Sequence, residues 1–471
     1  SSERLPADWS VSGTVGYEFL NDVCGLFIDP AAEPSFTGLW QQLSGDTRPF
    51  GAYALEAKLE QARTTFTPEL ERLARAADAQ GGPAESTEAL ALALSTLPVY
   101  RTYDPLCAGE FITRFQQTSP AIMAKGVEDT AFYRYSRLLA LNDVGGDPGR
   151  FGIDVTEFHA ANAERAVRHP EALLSTMTHD AKRSTDVRAR MTALTQIPEQ
   201  WTTAARRWLE LSERHCRELQ GAPAPDLPER YFILQTLAGA WPIEPERLDG
   251  YLEKALREAK RHTSWVDQDE DYEQAVKDYA RALVQDPEFR DEFEPFVTSL
   301  AHSGARLVLA QMVLKLTSPG VPDTYQGDEF ELRALVDPDN RRPVDWDLRR
   351  TRLDRFLGGG HPGSDLGDRK LWTMARLLGL RARLPRAFAA GPASYQPLDG
   401  GPSTCAFVRG GEVLSVVALP RAGSEADPLV NDLPGGRWRE VFSGEERTFE
   451  RRMPRSRLIS AESGLAVYER L

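Results

Sequence analysis

Along most of the chain, apolar positions recur three and four residues apart, the spacing of amphipathic helices. Residues 52–77, rich in Ala, Leu, Glu and Arg, predict a helix. Gln80-Gly81-Gly82-Pro83 breaks it and 86–97 resumes it. A second helical block covers about 186–294, with helices over 201–218, 247–261 and 272–284, and with Pro223, Pro225 and Pro228 dividing it. Residues 300–316 form a long apolar helix that Pro319 and Gly320 stop, and 370–384 predict another. Beyond about 386 the pattern changes. Short strand-like runs at 404–408, 413–419, 438–442 and 465–468, separated by Gly and Pro, predict an all-β tail built as a small sandwich.

Three short apolar runs break the helical pattern, and each ends in a polar cluster. They start at Ala121, Leu173 and Val321. In parallel α/β proteins, ligands meet the chain at the carboxyl ends of strands. The second run ends in Thr178-His179-Asp180. A His-Asp pair there can grip two neighbouring sugar hydroxyls, and the carboxylate can stabilise positive charge at an anomeric carbon. The same residues also read as a loop in which Asp180 caps the following polar segment. The Gly-rich loop 142–152 lacks the phosphate-binding GxxxxGK[ST] pattern, so its glycines serve tight turns. Residues 98–103 read equally as a packed connector or a sugar-contacting loop. Trp265 reads as a core residue or a sugar-stacking one, with core preferred. The loop 337–346 is polar, of mixed charge, and ends in Trp346.

Composition narrows the function classes. At 471 residues the chain needs a large barrel or two to four domains. A net charge of −14 argues against nucleic acid and anionic membranes as partners and suits a neutral substrate. Cys24, Cys107, Cys216 and Cys405 are scattered with no CxxC pair, so neither a zinc site nor a disulfide framework is expected, and a reducing cytoplasm follows. No apolar run is long enough to span a bilayer, and no signal peptide is evident. The start at Ser1-Ser2-Glu3-Arg4 reads like the middle of a loop, so more sequence is expected ahead of it.

Several segments, in order, carry a family resemblance: Thr14-Val15-Gly16-Tyr17, 123–135, 141–151, 178–190, His262-Thr263-Ser264-Trp265 and 318–346. Together they resemble the C-terminal portion of maltooligosyl trehalose synthases, in the α-amylase superfamily of (β/α)8 barrels. The resemblance implies an α/β fold containing only the later barrel strands, with strand six at 121–126, strand seven at 173–180 and strand eight at 321–326. Large helical insertions and a C-terminal β domain complete it. The implied divisions are 1–20 (barrel segment after strand five), 21–112 (insertion), 113–195 (strands six and seven), 196–294 (insertion), 295–385 (helix seven, strand eight, helix eight) and 386–471 (β-sandwich). Asp180 becomes the third catalytic carboxylate, and His179 binds the same sugar. Lys125 and Lys182 lie by the reducing-end glucose. Glu128, Asp129, Tyr133, Arg134, Tyr325, Gln326, Asp339, Asn340 and Arg341 join the substrate-binding set. No cofactor or metal is implied.

The implied reaction is an intramolecular transglycosylation. It turns the reducing-end α-1,4 bond of a maltooligosaccharide into an α,α-1,1 trehalosyl end. One departure matters: nothing in this chain matches the family's nucleophile or acid/base segment, and a retaining mechanism needs that pair about 5–5.5 Å apart. The expected partner is therefore an N-terminal barrel segment. Alternatives are an α-glucan hydrolase, a non-catalytic glucan-binding fragment, and a metal-dependent phosphohydrolase using His179 and Asp180.

Overall fold

A computed structural model describes residues 5–6, 9–79, 86–103, 109–391, 394–423 and 427–471. The reading of the start at 1–4, the break at 80–83 and Cys107 fall outside the described residues.

Helices dominate up to residue 383. The first are α1 (Tyr17–Phe27), α2 (Glu33–Ser44), α3 (Phe50–Arg63), α4 (Thr67–Ala79), α5 (Thr87–Thr96) and α6 (Glu110–Met123). The last of these runs on into a π-helical segment, Ala124–Ala131, and then α7 (Phe132–Arg134). After α8 (Val155–Arg168) come β1 (Leu173–Leu174), α9 (Thr185–Ala193) and α10 (Pro198–Ser212). A small hairpin, β2 (Arg217–Leu219) and β3 (Ala222–Ala224), precedes α11 (Leu227–Ala240), α12 (Pro245–Ala259), α13 (Glu270–Gln285) and α14 (Pro287–Thr317). Then follow β4 (Val321–Pro322), α15 (Trp346–Leu357) and α16 (Leu366–Arg383).

The periodic helices stand near their expected places, although the helix expected over 52–77 is split at 64–66 into α3 and α4, α14 starts well before residue 300, and α1, α6 and α14 each cross an expected division. Helix α11 falls inside the helical block expected over about 186–294, but the sequence reading resolves no separate helix there. It is buried from Arg230 to Ala240, so its apolar residues encircle it and leave no stripe to detect. Helix α9 is buried at every position and packs between α11 and α14.

Strands β1 and β4 pair in parallel, Leu173 opposite Val321. On the other side of β1, the Leu173 N–H donates to Thr14 O (3.1 Å). This corrects the expected strand six. Residues 121–126 are helical, and the slot beside β1 is filled by the extended chain at Thr14–Val15. Met123, Ala124, Lys125 and Glu128 are good helix formers, and Ile122 and Val127 are too sparse to outweigh them. Gly16 follows with φ 90°, and a Cβ there would sit 2.5 Å from Leu173 O, so only glycine lets the chain cross β1 this closely.

The last part contains β5 (Tyr395–Leu398), β6 (Thr404–Arg409), β7 (Val413–Ala418), β8 (Leu429–Val430), β9 (Gly436–Glu440), β10 (Glu446–Phe449), β11 (Met453–Pro454) and β12 (Leu465–Arg470). Six of them form one antiparallel sheet in the order β10-β9-β12-β7-β6-β5. The expected sandwich is lopsided, since the second layer is only the β8–β11 ribbon. Alternation assigns the two faces. Ala406, Val408, Leu414, Val416, Ala466 and Tyr468 pack with Val430 and Leu433 near the ribbon. Cys405, Phe407, Val413, Val417, Leu465 and Val467 belong to the core of the helical body.

Candidate functional site

The site gathers where β1 ends. Thr178 takes the Asp180 N–H on its Oγ1 (3.1 Å) and shares a hydrogen bond with the Tyr17 hydroxyl (3.3 Å). Asn340 donates from Nδ2 to His179 O (3.1 Å). The Lys182 N–H donates to Asp143 Oδ1 (2.9 Å), and Arg188 donates to Asp143 Oδ2 (2.8 Å). Both partners of that last pair are 1% exposed. The turn is thus held from three sides, while the His179 and Asp180 side chains are exposed. Asp180 does not cap the next helix. Ser184 does, taking the Val187 N–H.

Facing this turn is the π-helical segment. Such segments are rare and concentrate at functional sites. It packs against α3 so closely that a Cβ on Gly126 would lie 2.7 Å from Lys58 Cα. It presents Lys125, Glu128 and Asp129. Asp129 accepts from Lys182 Nζ (2.8 Å) on one oxygen and from Lys125 Nζ (2.6 Å) on the other. Burial pushes the Asp129 carboxyl up, but the two ammonium groups outweigh it and hold it below the usual range. Burial opposes the Lys182 charge, yet Tyr133, Asp129 and Glu128 together push its pKa up. Lys182 is almost buried and Lys125 half-exposed.

Glu128 accepts from the Tyr100 hydroxyl and from the Gly145 N–H (3.0 Å). Burial raises its pKa, and the nearby Asp180 charge adds to the rise. Tyr17 is likewise raised by burial, with the charges of Asp180, Glu128 and Asp143 contributing. The loop 98–103 therefore reaches the site through Tyr100. The Gly-rich loop serves both its turns and Glu128, with Gly145 at φ 70°. Lys260 joins from the end of α12, donating to Thr130 Oγ1 (2.8 Å).

The other expected residues divide. Tyr133 is buried behind Lys182. Tyr325 packs with Met177 and Ala181 below the turn, and Gln326 beside it is exposed. Asn340 acts through the His179 backbone. Arg134 is spent on helix packing, donating to Ala259 O (2.6 Å) and pairing with Glu60 (2.8 Å). Asp339 is clamped by Arg247 (2.7 Å) and the Leu335 N–H (2.8 Å). Arg341 lies 3.6 Å from Asp337 on the surface. Trp265 is not core: it is 47% exposed, with the Arg257 guanidinium 5.1 Å from its ring centre.

Sequence reading missed the roles of Tyr17, Tyr100, Asp143 and Arg188. All four stood in segments already singled out, but none was assigned a role there. It also missed a buried charge cluster under the turn. Lys370 bridges Asp186 (2.7 Å) and Asp328 (3.3 Å), and Lys315 donates to Thr176 Oγ1 (3.0 Å). The group of His and carboxylates with metal-ligand spacing found among the described residues is Asp226, Glu229 and His262. His179 and Asp180 are not in it, and Asp226 and Glu229 form the capping box of α11.

Along nearly all its length the chain is similar to maltooligosyl trehalose synthases. A curated Mycobacterium tuberculosis protein, provisionally named maltooligosyl trehalose synthase, is 35% identical over 94% of this chain. The solved maltooligosyltrehalose synthase of Arthrobacter ramosus superposes on 100% of it, with TM-score 0.87 and 34% identity. A Sulfolobus tokodaii structure titled as a hypothetical maltooligosyl trehalose synthase covers 99% of it, with TM-score 0.82 and 28% identity. The chain spans 61% of the first relative, 65% of the second and 64% of the third. No family model matches the chain.

Proposed function

We propose that this chain supplies the reducing-end half of a glucosylmutase site. The reaction converts the terminal α-1,4 bond of a maltooligosaccharide to an α,α-1,1 trehalosyl end. The observation that carries the reading is the exposed Asp180 carboxylate in the turn beyond β1, near Glu128 of the π-helical segment that also carries Lys125 and the Lys182 partner Asp129. Asp180 holds neighbouring sugar hydroxyls and stabilises the developing oxocarbenium charge. Lys182 and Lys125, fixed by Asp129, donate to hydroxyls of the released glucose and keep it while it turns. Exclusion of water then separates transfer from hydrolysis.

The nucleophile and acid/base come, in this reading, from sequence corresponding to the part of the relatives that this chain does not span. That part also supplies the remaining strands of an amylase-type barrel beside Thr14–Val15, β1 and β4. Val15 and Val321, on two of those segments, are 54% and 43% exposed, which suits apolar positions awaiting a cover. The cytoplasm is the proposed location. Among the described residues no helix is long and apolar enough to cross a membrane.

The test is formation of trehalosyl ends from maltopentaose, with glucose release measured in parallel. The completed enzyme is expected to transfer, and the isolated chain is not. Glucose and shorter maltooligosaccharides as the main products would favour the glucan hydrolase. Turnover by the isolated chain would place the missing carboxylates within it and refute the division of labour.

A further inference from the structure

A cavity of about 300 Å³ lies where α16 meets the C-terminal sheet. That is the lower end of the size of small-molecule pockets, about 300–1,000 Å³. None of its lining residues belongs to the group around Asp180. Trp372 and Phe442 give it an apolar wall, with ring centres 5.5 Å apart. Arg369, Arg447, Glu440 and Glu445 are its charged lining, two of each sign. An anion would find no positive excess there and a cation no negative one.

Hydrogen-bonding capacity remains at the rim. Among the described residues, the Arg369 guanidinium has only the exposed Glu462 as ion partner, at 3.8 Å. Ser460 Oγ accepts from the Glu462 N–H (3.3 Å), which leaves its own O–H to donate. Glu445 adds an acceptor, and the buried Thr373 adds a hydroxyl deeper in the lining. An apolar wall, balanced charge and a rim of mixed donors and acceptors suit a neutral ring bearing hydroxyls. A pyranose is such a ring, with apolar faces and an equatorial belt of groups that both donate and accept.

We infer that this cavity is a second carbohydrate site, which holds one glucosyl unit of an α-glucan away from Asp180. The choice of glucan among neutral sugars rests on the function proposed above. Such a site keeps a long chain attached while its reducing end is processed, since linking two contacts raises the local concentration at the second.

The test uses the full chain and maltopentaose in a calorimetric titration. His179→Ala and Asp180→Asn are introduced together to silence the first site. Binding should persist in that background. Trp372→Ala and Arg369→Ala should each weaken it about tenfold or more, the scale of one lost aromatic or charged contact. Arg369 is 23% exposed and, among the described residues, its ion partner is the surface carboxylate of Glu462, so its variant should melt close to the parent and separates lost binding from lost folding. Absence of binding in the silenced background overturns the inference, and so does binding that Arg369→Ala leaves unchanged. Loss of binding with His179 and Asp180 alone would leave the first site standing and remove the second. Persistence of a Trp372-dependent site without any trehalosyl transfer would do the reverse.

Discussion

Lys182→Met is the most informative single change. It removes an ammonium that is 6% exposed and 2.8 Å from Asp129 Oδ1, and it roughly preserves the volume of the stem. At an effective dielectric constant of about 20, a pair at that distance attracts by about 6 kcal/mol. Desolvation of both charges offsets much of this, and loss of one partner of a buried pair costs about 3–5 kcal/mol in all. Lys125 stays 2.6 Å from the other oxygen and Asp129 is 21% exposed, so the carboxylate is not stranded. The expected destabilisation is therefore lower, about 2–3 kcal/mol near neutral pH.

The sign with pH follows from Asp129. Its folded pKa is depressed, against burial, by Lys182 and Lys125. Its contribution is present above the unfolded pKa and is lost as pH falls through the folded one. The gap between parent and variant should hold between about pH 5 and 8 and shrink below about pH 4. Urea unfolding at a series of pH values measures it. A gap under about 0.5 kcal/mol, or one that stays constant in acid, would refute the idea that this pair organises the site.

In the completed enzyme, Asp180→Asn should lower kcat by about 10²-fold or more, the scale of one preorganised electrostatic contact; near-parental turnover would remove Asp180 from the chemistry. Lys125→Ala should raise the ratio of released glucose to trehalosyl ends more than it lowers total bond cleavage, as product chromatography would read. Arg188→Leu leaves Asp143 charged and buried, and should cost about 3–5 kcal/mol in denaturant unfolding. Glu229 is pushed up to about 7, chiefly by burial and then by Asp226. Its contribution is present below the unfolded pKa and lost as pH rises through about 7, so Glu229→Gln should flatten the decline in thermal midpoint between about pH 5 and 8.

The helices with one apolar stripe were legible in the sequence, and so was the change to β-strands after 386. Two kinds of element were not. Helix α11 is apolar all round, and periodicity carries no signal for such a segment. The run at Ala121 mimics a strand because a few apolar residues precede a polar cluster in either geometry; only the competition for the edge of β1, won by Thr14–Val15, decides it. Within the site, His179 and Asp180 were visible because an abrupt change of polarity marks a strand end. Arg134 and Asp339 were of the right chemical type, but their partners Ala259 and Arg247 lie far away in sequence. The same distance hid Asp143, whose two oxygens tie the Gly-rich loop to the turn.

The central place of β12 bears on how the molecule is made. Leu465–Arg470 inserts between β7 and β9, so neither neighbour has both partners until residue 470 has been made. One face of that sheet closes the core of the helical body. A nascent chain therefore emerges with its helical part uncapped, and the apolar surface around Phe407 and Val417 is sealed only once β12 has docked. Chaperone dependence should concentrate in the interval before β12 docks, and deletion of Leu465–Arg470 would do far more harm than its length suggests.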